Sequence, residues 1–251
     1  MIYNKIYDFC KVRNLGSIFK NDSNTPTPRV EFLMQLLEEE GITYELDKFT
    51  TDEVTGYNII LRGDSDKMLV AHHDVNNHTI DNANDNSASV INAIALKKML
   101  PNVHVVLLDG EEFGGFGAQR VSDQILEGEF GDIAYVLNLE LTGRGGKKFF
   151  SGNYPGPLYD KIKSLFNNPS INTPFNDSVI FRRNGIDSCV INPLPVIPNA
   201  EINEGIGWDD SIRLDVSILY LCHSPKDTVE LINVKEMQEF TEEVVLKILE
   251  A

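Results

Sequence analysis

The sequence predicts an α/β fold of three layers, a mostly parallel central sheet between helices. Three observations carry that expectation. Apolar runs of strand length alternate with segments of helical periodicity. The strand candidates are apolar throughout rather than at every second residue, as in strands covered on both faces. Three of them end in histidine, aspartate or glutamate, as do strands whose carboxyl ends form a ligand site in such sheets.

Taken in order, Thr27 and Pro28 give a cap and a first-turn residue. Val30, Leu33, Met34 and Leu37 keep helical spacing up to Gly41. "ITYELDKF" and "YNIILRG" read as strands parted by polar residues, and "KMLVAH" as a short buried strand. After an Asn/Asp-rich loop, "SVINAIALKKML" places Val90, Ile91, Ile94 and Lys98 on a helix that Pro101 stops. "VHVVLLDG" is the next strand, "GAQRVSDQIL" a helix, "IAYVLNLEL" a strand and "LYDKIKSLF" a short helix. Asn233 with Glu236 forms a capping signal for a last helix lined by Val234, Met237, Val244, Val245 and Ile248.

With 251 residues and no linker, one catalytic domain over residues 1–251 is expected. A formal net charge of -16 opposes phosphate backbones and anionic lipid, so no nucleic acid or membrane partner is expected. The chain has no apolar run of membrane-spanning length and no signal-peptide core, so a cytoplasmic protein is expected. Cys10, Cys189 and Cys222 are odd in number and far apart, which argues against a disulfide framework or thiolate zinc site. Cys222 reads as a small buried residue.

The three strand ends bring His72, His73 and Asp74, then Glu111 and Glu112, then Glu140, to one rim of the inferred sheet. Carboxylates gathered there repel one another unless a cation neutralises them, and a divalent metal meets that need. Nitrogen and oxygen donors without thiolate suit zinc best, with manganese or cobalt less favoured. Each acid alone has a plainer reading as a turn residue or helix cap. Strand alternation points His72 and Asp74 to one side and His73 to the other, which leaves His73 a packing or hydrogen-bonding role. His78 and His104 fall outside this pattern, His104 at the opposite edge.

The motifs "AHHDVNN", "NANDNSAS", "DGEEFGGFGAQ", "VLNLELTG" and "CHSPKDT" occur in order between Ala71 and Thr228. As a set they resemble the metal motifs of the di-zinc aminopeptidases, a family that includes bacterial leucyl aminopeptidases. Glutaminyl cyclases and glutamate carboxypeptidases are relatives of that zinc-exopeptidase fold. The resemblance implies that His72 and Glu140 hold one zinc, Glu112 and His223 the other, and Asp85 bridges both. Glu111 matches the general base, and Asp74 the acid that orients His72. Glu140 stands where the family usually has Asp, which leaves occupancy of the His72 metal open. Asp177, in "NDSVIFRRNGIDSCVI", matches a loose substrate-pocket position that is equally readable as a helix cap.

The activity implied is that of a metal-dependent exopeptidase, an aminopeptidase hydrolysing N-terminal residues by a di-zinc-activated water with Glu111 as base. Its partner would be a peptide or small amide. Two alternatives stay open: a single-zinc acyltransferase like the glutaminyl cyclases, and a non-catalytic, metal-stabilised binding module. A carboxypeptidase would need an arginine such as Arg182, Arg183 or Arg144, although a solvated helix face is the simpler reading of the pair. The segment "PLPVIPNAEINEGIGWDDS", with the single tryptophan Trp208, reads as a pocket wall or a surface loop.

Overall fold

The computed structural model describes residues 2–12, 26–51, 55–76, 78–79, 81–193 and 222–251. The loop that carries Trp208 lies outside the described residues. Eight strands form one sheet in the order β1-β2-β4-β3-β5-β8-β6-β7. These are β1 (Glu45–Thr50), β2 (Thr55–Leu61), β3 (Lys67–His72), β4 (His104–Leu108), β5 (Tyr135–Leu139), β6 (Phe149–Gly152), β7 (Ser170–Ile171) and β8 (Ser188–Pro193).

The sheet is mixed. The four central strands β4, β3, β5 and β8 run parallel, whereas β2 joins β4, and β6 joins β8, antiparallel. The parallel part is the apolar part. Every residue of β4, β5 and β8 is buried, and so is β3 beyond Lys67, because helices cover both faces. Alternate residues feed two cores. Leu69, Ala71, Val105, Leu107, Leu137 and Leu139 pack on one face, and Met68, Val70, Val106, Leu108 and Val136 on the other. Each of the leucine, valine and methionine side chains contributes about 1.5–3 kcal/mol by leaving water.

The first face is covered by α1 (Ile6–Phe9), α2 (Pro28–Glu39), α3 (Ala88–Met99), α5 (Pro157–Leu165) and the C-terminal helical stretch. That stretch runs from Val234–Phe240 through a π-helical segment, Thr241–Val245, into Leu246–Glu250. The second face holds α4 (Phe116–Leu126) and α6 (Asp177–Arg183). Start and stop signals are those of the sequence. Thr27 accepts from the Val30 N–H and Gly41 takes φ +69° after α2. Asn233 accepts from the Glu236 N–H, and its amide donates to the Glu236 carboxylate at 2.8 Å. No helix among the described residues is long and apolar enough to cross a membrane.

Candidate metal centre

The carboxyl ends of β3, β4 and β5 meet at one rim. His72 is the last residue of β3 and pairs in register with Leu108 of β4. Past β4, Asp109 accepts from the Tyr57 N–H and donates its own N–H to the Asn58 side chain, which pins the turn that presents Glu111 and Glu112. Gly117 closes this turn from the far side. A Cβ there would stand 2.4 Å from both the Asn58 amide oxygen and the Asp109 carbonyl, so only glycine lets α4 start so close. Glu140 follows β5, where Asn86 grips the chain from both sides by donating to Leu139 O and accepting from the Leu141 N–H.

Two clusters of donors form around Asp85. On one side, His72 Nε2 lies 3.2 Å from Asp85 Oδ1 and 3.5 Å from Glu140 Oε2. On the other, His223 Nε2 lies 3.3 Å from Asp85 Oδ2 and 2.9 Å from Glu112 Oε2. Asp85 thus turns one oxygen to each histidine. Ligands about 2.0–2.1 Å from a tetrahedral ion stand about 3.3 Å from one another, so the separations fit zinc on both sides. The longer glutamate side chain still reaches the His72 cluster, with its other oxygen held by the Asn138 amide at 3.2 Å.

The electrostatics call for a cation. Burial, then the neighbouring carboxylates, raises Glu112 and Glu140 above the usual carboxylate range. Burial would lower His72, but Glu140, Asp74 and Asp85 outweigh it and push it well up. His223 is raised to about 10 by its contacts with Asp85 and Glu112. Both shifts favour positive charge beside these carboxylates, and Glu112 Oε1 is buried with no hydrogen-bond partner. A divalent ion on each side of Asp85 would satisfy these groups, so the residues fit zinc.

The supporting residues explain the geometry. Asp74 Oδ1 is 3.3 Å from His72 Nδ1, and the same carboxylate accepts from the Glu111 and Glu112 N–H groups at 3.1 and 3.0 Å. It therefore sets the imidazole and the glutamate pair together. Glu111 sits beside His72 and Glu112 and is held well above the usual carboxylate range, first by burial, with Asp177, Glu140 and Glu112 adding. Asp177 opens α6, fully buried, with neither carboxylate oxygen hydrogen-bonded. Its neighbour Asn176 is the residue that caps the helix. His73 is buried and shares a 2.9 Å hydrogen bond with Tyr57 O, and His104 accepts from the Gly63 N–H at the other edge. His78 is exposed. Arg182 is engaged by Ser188 O and Pro155 O, away from the rim. Cys222 is half-buried and lines the cavity, a correction to its reading as a plain core residue, because it directly precedes the exposed His223.

Two residues that the sequence reading left unassigned hold the ligands in place. Asp227, within "CHSPKDT", accepts from the Asn84 and Asp85 N–H groups at 2.7 and 3.0 Å and fixes the turn carrying the bridging carboxylate. Arg29 is 1 % exposed and donates to His73 O, Ser87 Oγ and Val12 O at 2.8, 2.8 and 3.2 Å, with its guanidinium 3.9 Å over the Phe9 ring. The "KDT" in the motif was a signal for Asp227. Arg29 had none, since it sits on a helix otherwise read as amphipathic.

A family model described as peptidase family M28 matches residues 58–248. The chain belongs to that family. The matched span takes in every strand end and turn of the M28 rim described above. No curated protein matches the chain by sequence. Solved structures share its fold at low identity. A glutaminyl cyclase of Porphyromonas gingivalis aligns with 16 % identity and TM-score 0.69, over 99 % of this chain and 96 % of its own. A leucine aminopeptidase precursor from Bacteroides thetaiotaomicron aligns with 15 % identity and TM-score 0.71, over 100 % and 96 %. A zinc aminopeptidase from Bacillus subtilis aligns with 18 % identity and TM-score 0.60 over 79 %, and this chain spans 50 % of it.

Proposed function

We propose that this M28 protein is a zinc-dependent aminopeptidase that hydrolyses the N-terminal residue of a peptide or small amide. The observation that supports it most is the division of the Asp85 oxygens between His72 with Glu140 and His223 with Glu112, a donor set for two zinc ions. When bound, zinc would supply Lewis acidity toward the scissile carbonyl and a water of lowered pKa. Glu111 would serve as the base that takes a proton from the attacking water and returns it to the leaving amine, a role suited to a carboxylate of raised basicity. Asp74 keeps Glu111 and His72 in mutual register.

Charge favours a free amino end over a free carboxylate end. Asp74, Asp85, Glu111, Glu112, Glu140 and Asp177 are six acids within one electrostatic neighbourhood. Two divalent ions would offset four negative charges and Arg29 one more, so the cavity stays acidic and attracts an ammonium. Asp177, unpartnered beside this cluster, is the proposed acidic group of the substrate pocket.

The test is release of chromophore from leucyl, phenylalanyl and alanyl anilides by zinc-loaded protein, before and after chelation, with N-terminal glutaminyl peptides in parallel. Chelator-sensitive anilide hydrolysis is expected, with Glu111→Gln keeping its metal and losing about 10²–10⁴-fold in turnover. Cyclisation of the glutaminyl peptides without anilide hydrolysis would replace this reading by the cyclase one. Loss of neither substrate would favour a binding module.

A further inference from the structure

The donors of the His223 cluster, Asp85, Glu112 and His223, come from segments far apart in the chain. One short stretch touches the surroundings of all of them. It begins at Asn76, whose amide donates to Glu112 Oε2 at 2.9 Å, the same oxygen that lies 2.9 Å from His223 Nε2. It ends at Asn82, whose amide donates to Asp85 O at 2.8 Å. Beside Asn82, Asp81 accepts from the Val229 N–H at 3.0 Å and ties down the segment that follows His223.

Thr79 joins the two ends. With one proton to give, its hydroxyl is shared between Asn76 O, 2.9 Å away, and the Asn82 side-chain oxygen. The Thr79 N–H also donates to Asn76 O, at 3.3 Å. Asn82 holds φ +47°, a left-handed conformation that asparagine accepts more readily than most residues, so the position keeps an amide where glycine could offer none. Glu112 depends on this arrangement. Its Oε1 has no hydrogen-bond partner, and among the described residues Asn76 is the only hydrogen-bonding side chain on Oε2 besides His223.

Two donors on one zinc ion must stand about 3.3 Å apart, so a carboxylate free to swing lowers affinity. The His72 cluster is held by other means. Glu140 is fixed through the Asn138 amide, and Asp85 keeps its backbone contact with Asp227 whatever happens at Thr79. We infer that Asn76, Thr79 and Asn82 form a strap that sets the spacing of Glu112 from Asp85, and with it the affinity of the His223 metal alone. They are positioning residues, acting through the ligands. The inference rests on the metal centre of the proposed function, and not on which amide is cleaved.

The experiment treats the two ions separately. Glu140→Ala leaves the His223 cluster complete, and Glu112→Ala leaves His72 with Asp85 and Glu140. In each background, zinc affinity is measured by competition with a chelating dye, with residue 79 as threonine, valine or serine. Thr79→Val keeps the shape without the hydroxyl, and Thr79→Ser restores it. In the Glu140→Ala background Thr79→Val should weaken zinc about 10–100-fold, Thr79→Ser should bind as threonine does, and Asn76→Ala should reproduce the loss. In the Glu112→Ala background none of these changes should alter zinc affinity. In the protein that retains all its ligands, Thr79→Val should lower one of the two stepwise constants and spare the other. Equal losses in both backgrounds, or in both stepwise constants, would overturn the strap and leave the metal centre standing, as would an affinity indifferent to residue 79. Absence of zinc binding by the wild type would end the metal reading and the strap with it.

Discussion

Replacing Arg29 by methionine would reveal how far the metal centre depends on a cation outside it. Arg29 belongs to α2, yet its three hydrogen bonds tie His73, next to the ligand His72, to Ser87, at the end of the turn carrying Asp85. The third fixes Val12. Hydrogen bonds from a charged donor contribute about 1.5–3 kcal/mol each, so three sum to roughly 5–9 kcal/mol in isolation. Burying the guanidinium, which lowers its pKa to about 10, offsets part of this. Methionine retains most of the stem volume, so the cavity left behind is small. The net loss expected is about 3–5 kcal/mol, the range seen when one member of a buried charged network is removed. A domain with about 5–15 kcal/mol of stability would survive that loss. Urea denaturation of the metal-free protein measures it, and competition with a zinc chelator should show affinity lower by about 10–100-fold. A loss below about 1 kcal/mol combined with wild-type zinc affinity would refute the argument.

Zinc titration of the wild type should saturate at two ions per chain, and a plateau at one would leave the Glu140 cluster without a metal. Asp74→Asn has one acceptor oxygen in place of two, so either Glu111 or Glu112 loses its backbone anchor. Zinc affinity and turnover should each fall about 10–100-fold while the melting temperature changes little, and unchanged turnover would remove Asp74 from its orienting role. His104 is held below the ordinary histidine value of 6.5 by burial first, with Lys97 and Arg62 adding. The unfolded chain then binds the extra proton, so the contribution is present above pH 6.5 and is lost as pH falls below it. In chemical denaturation across that window, His104→Asn should lose stability less steeply than the wild type. Equal slopes would show that His104 titrates alike in both states.

The structure bears out the central strands, and it brings the candidate acids and imidazoles to one rim. "KMLVAH", "VHVVLLDG" and "IAYVLNLEL" were legible because strands buried on both faces must be continuously apolar. β6 and β7 were not assigned, since "FFSG" and "SI" are too short to show a period, and β8, "SCVINP", was not assigned either. The antiparallel pairings of β6 with β8 and of β2 with β1 and β4 make the sheet less parallel toward both edges than the alternation of elements suggested. The choice of His72 over His73 followed from strand alternation and from its place in the motif, and the contact of His73 with Tyr57 O agrees with it. Glu140 posed a question of reach that no pattern answers, because it depends on where the backbone of β5 ends relative to β3.

The sequence by itself determined the layers, the order of the strands along the chain and the rim at which the acids and imidazoles would gather. Those features depend on hydrophobic periodicity and on the direction of parallel strands, which are local properties of the chain. Only the tertiary structure decided that Asp85 divides its two oxygens between His72 and His223, that Asp227 reaches back 142 residues to the Asp85 N–H, and that Arg29 spans 44 and 58 residues to His73 and Ser87. It also brought Asn76 within hydrogen-bonding reach of Glu112, 36 residues away. Such contacts join polar side chains from distant loops and helices, and no spacing along the chain encodes them, because their partners are set by the way the layers pack.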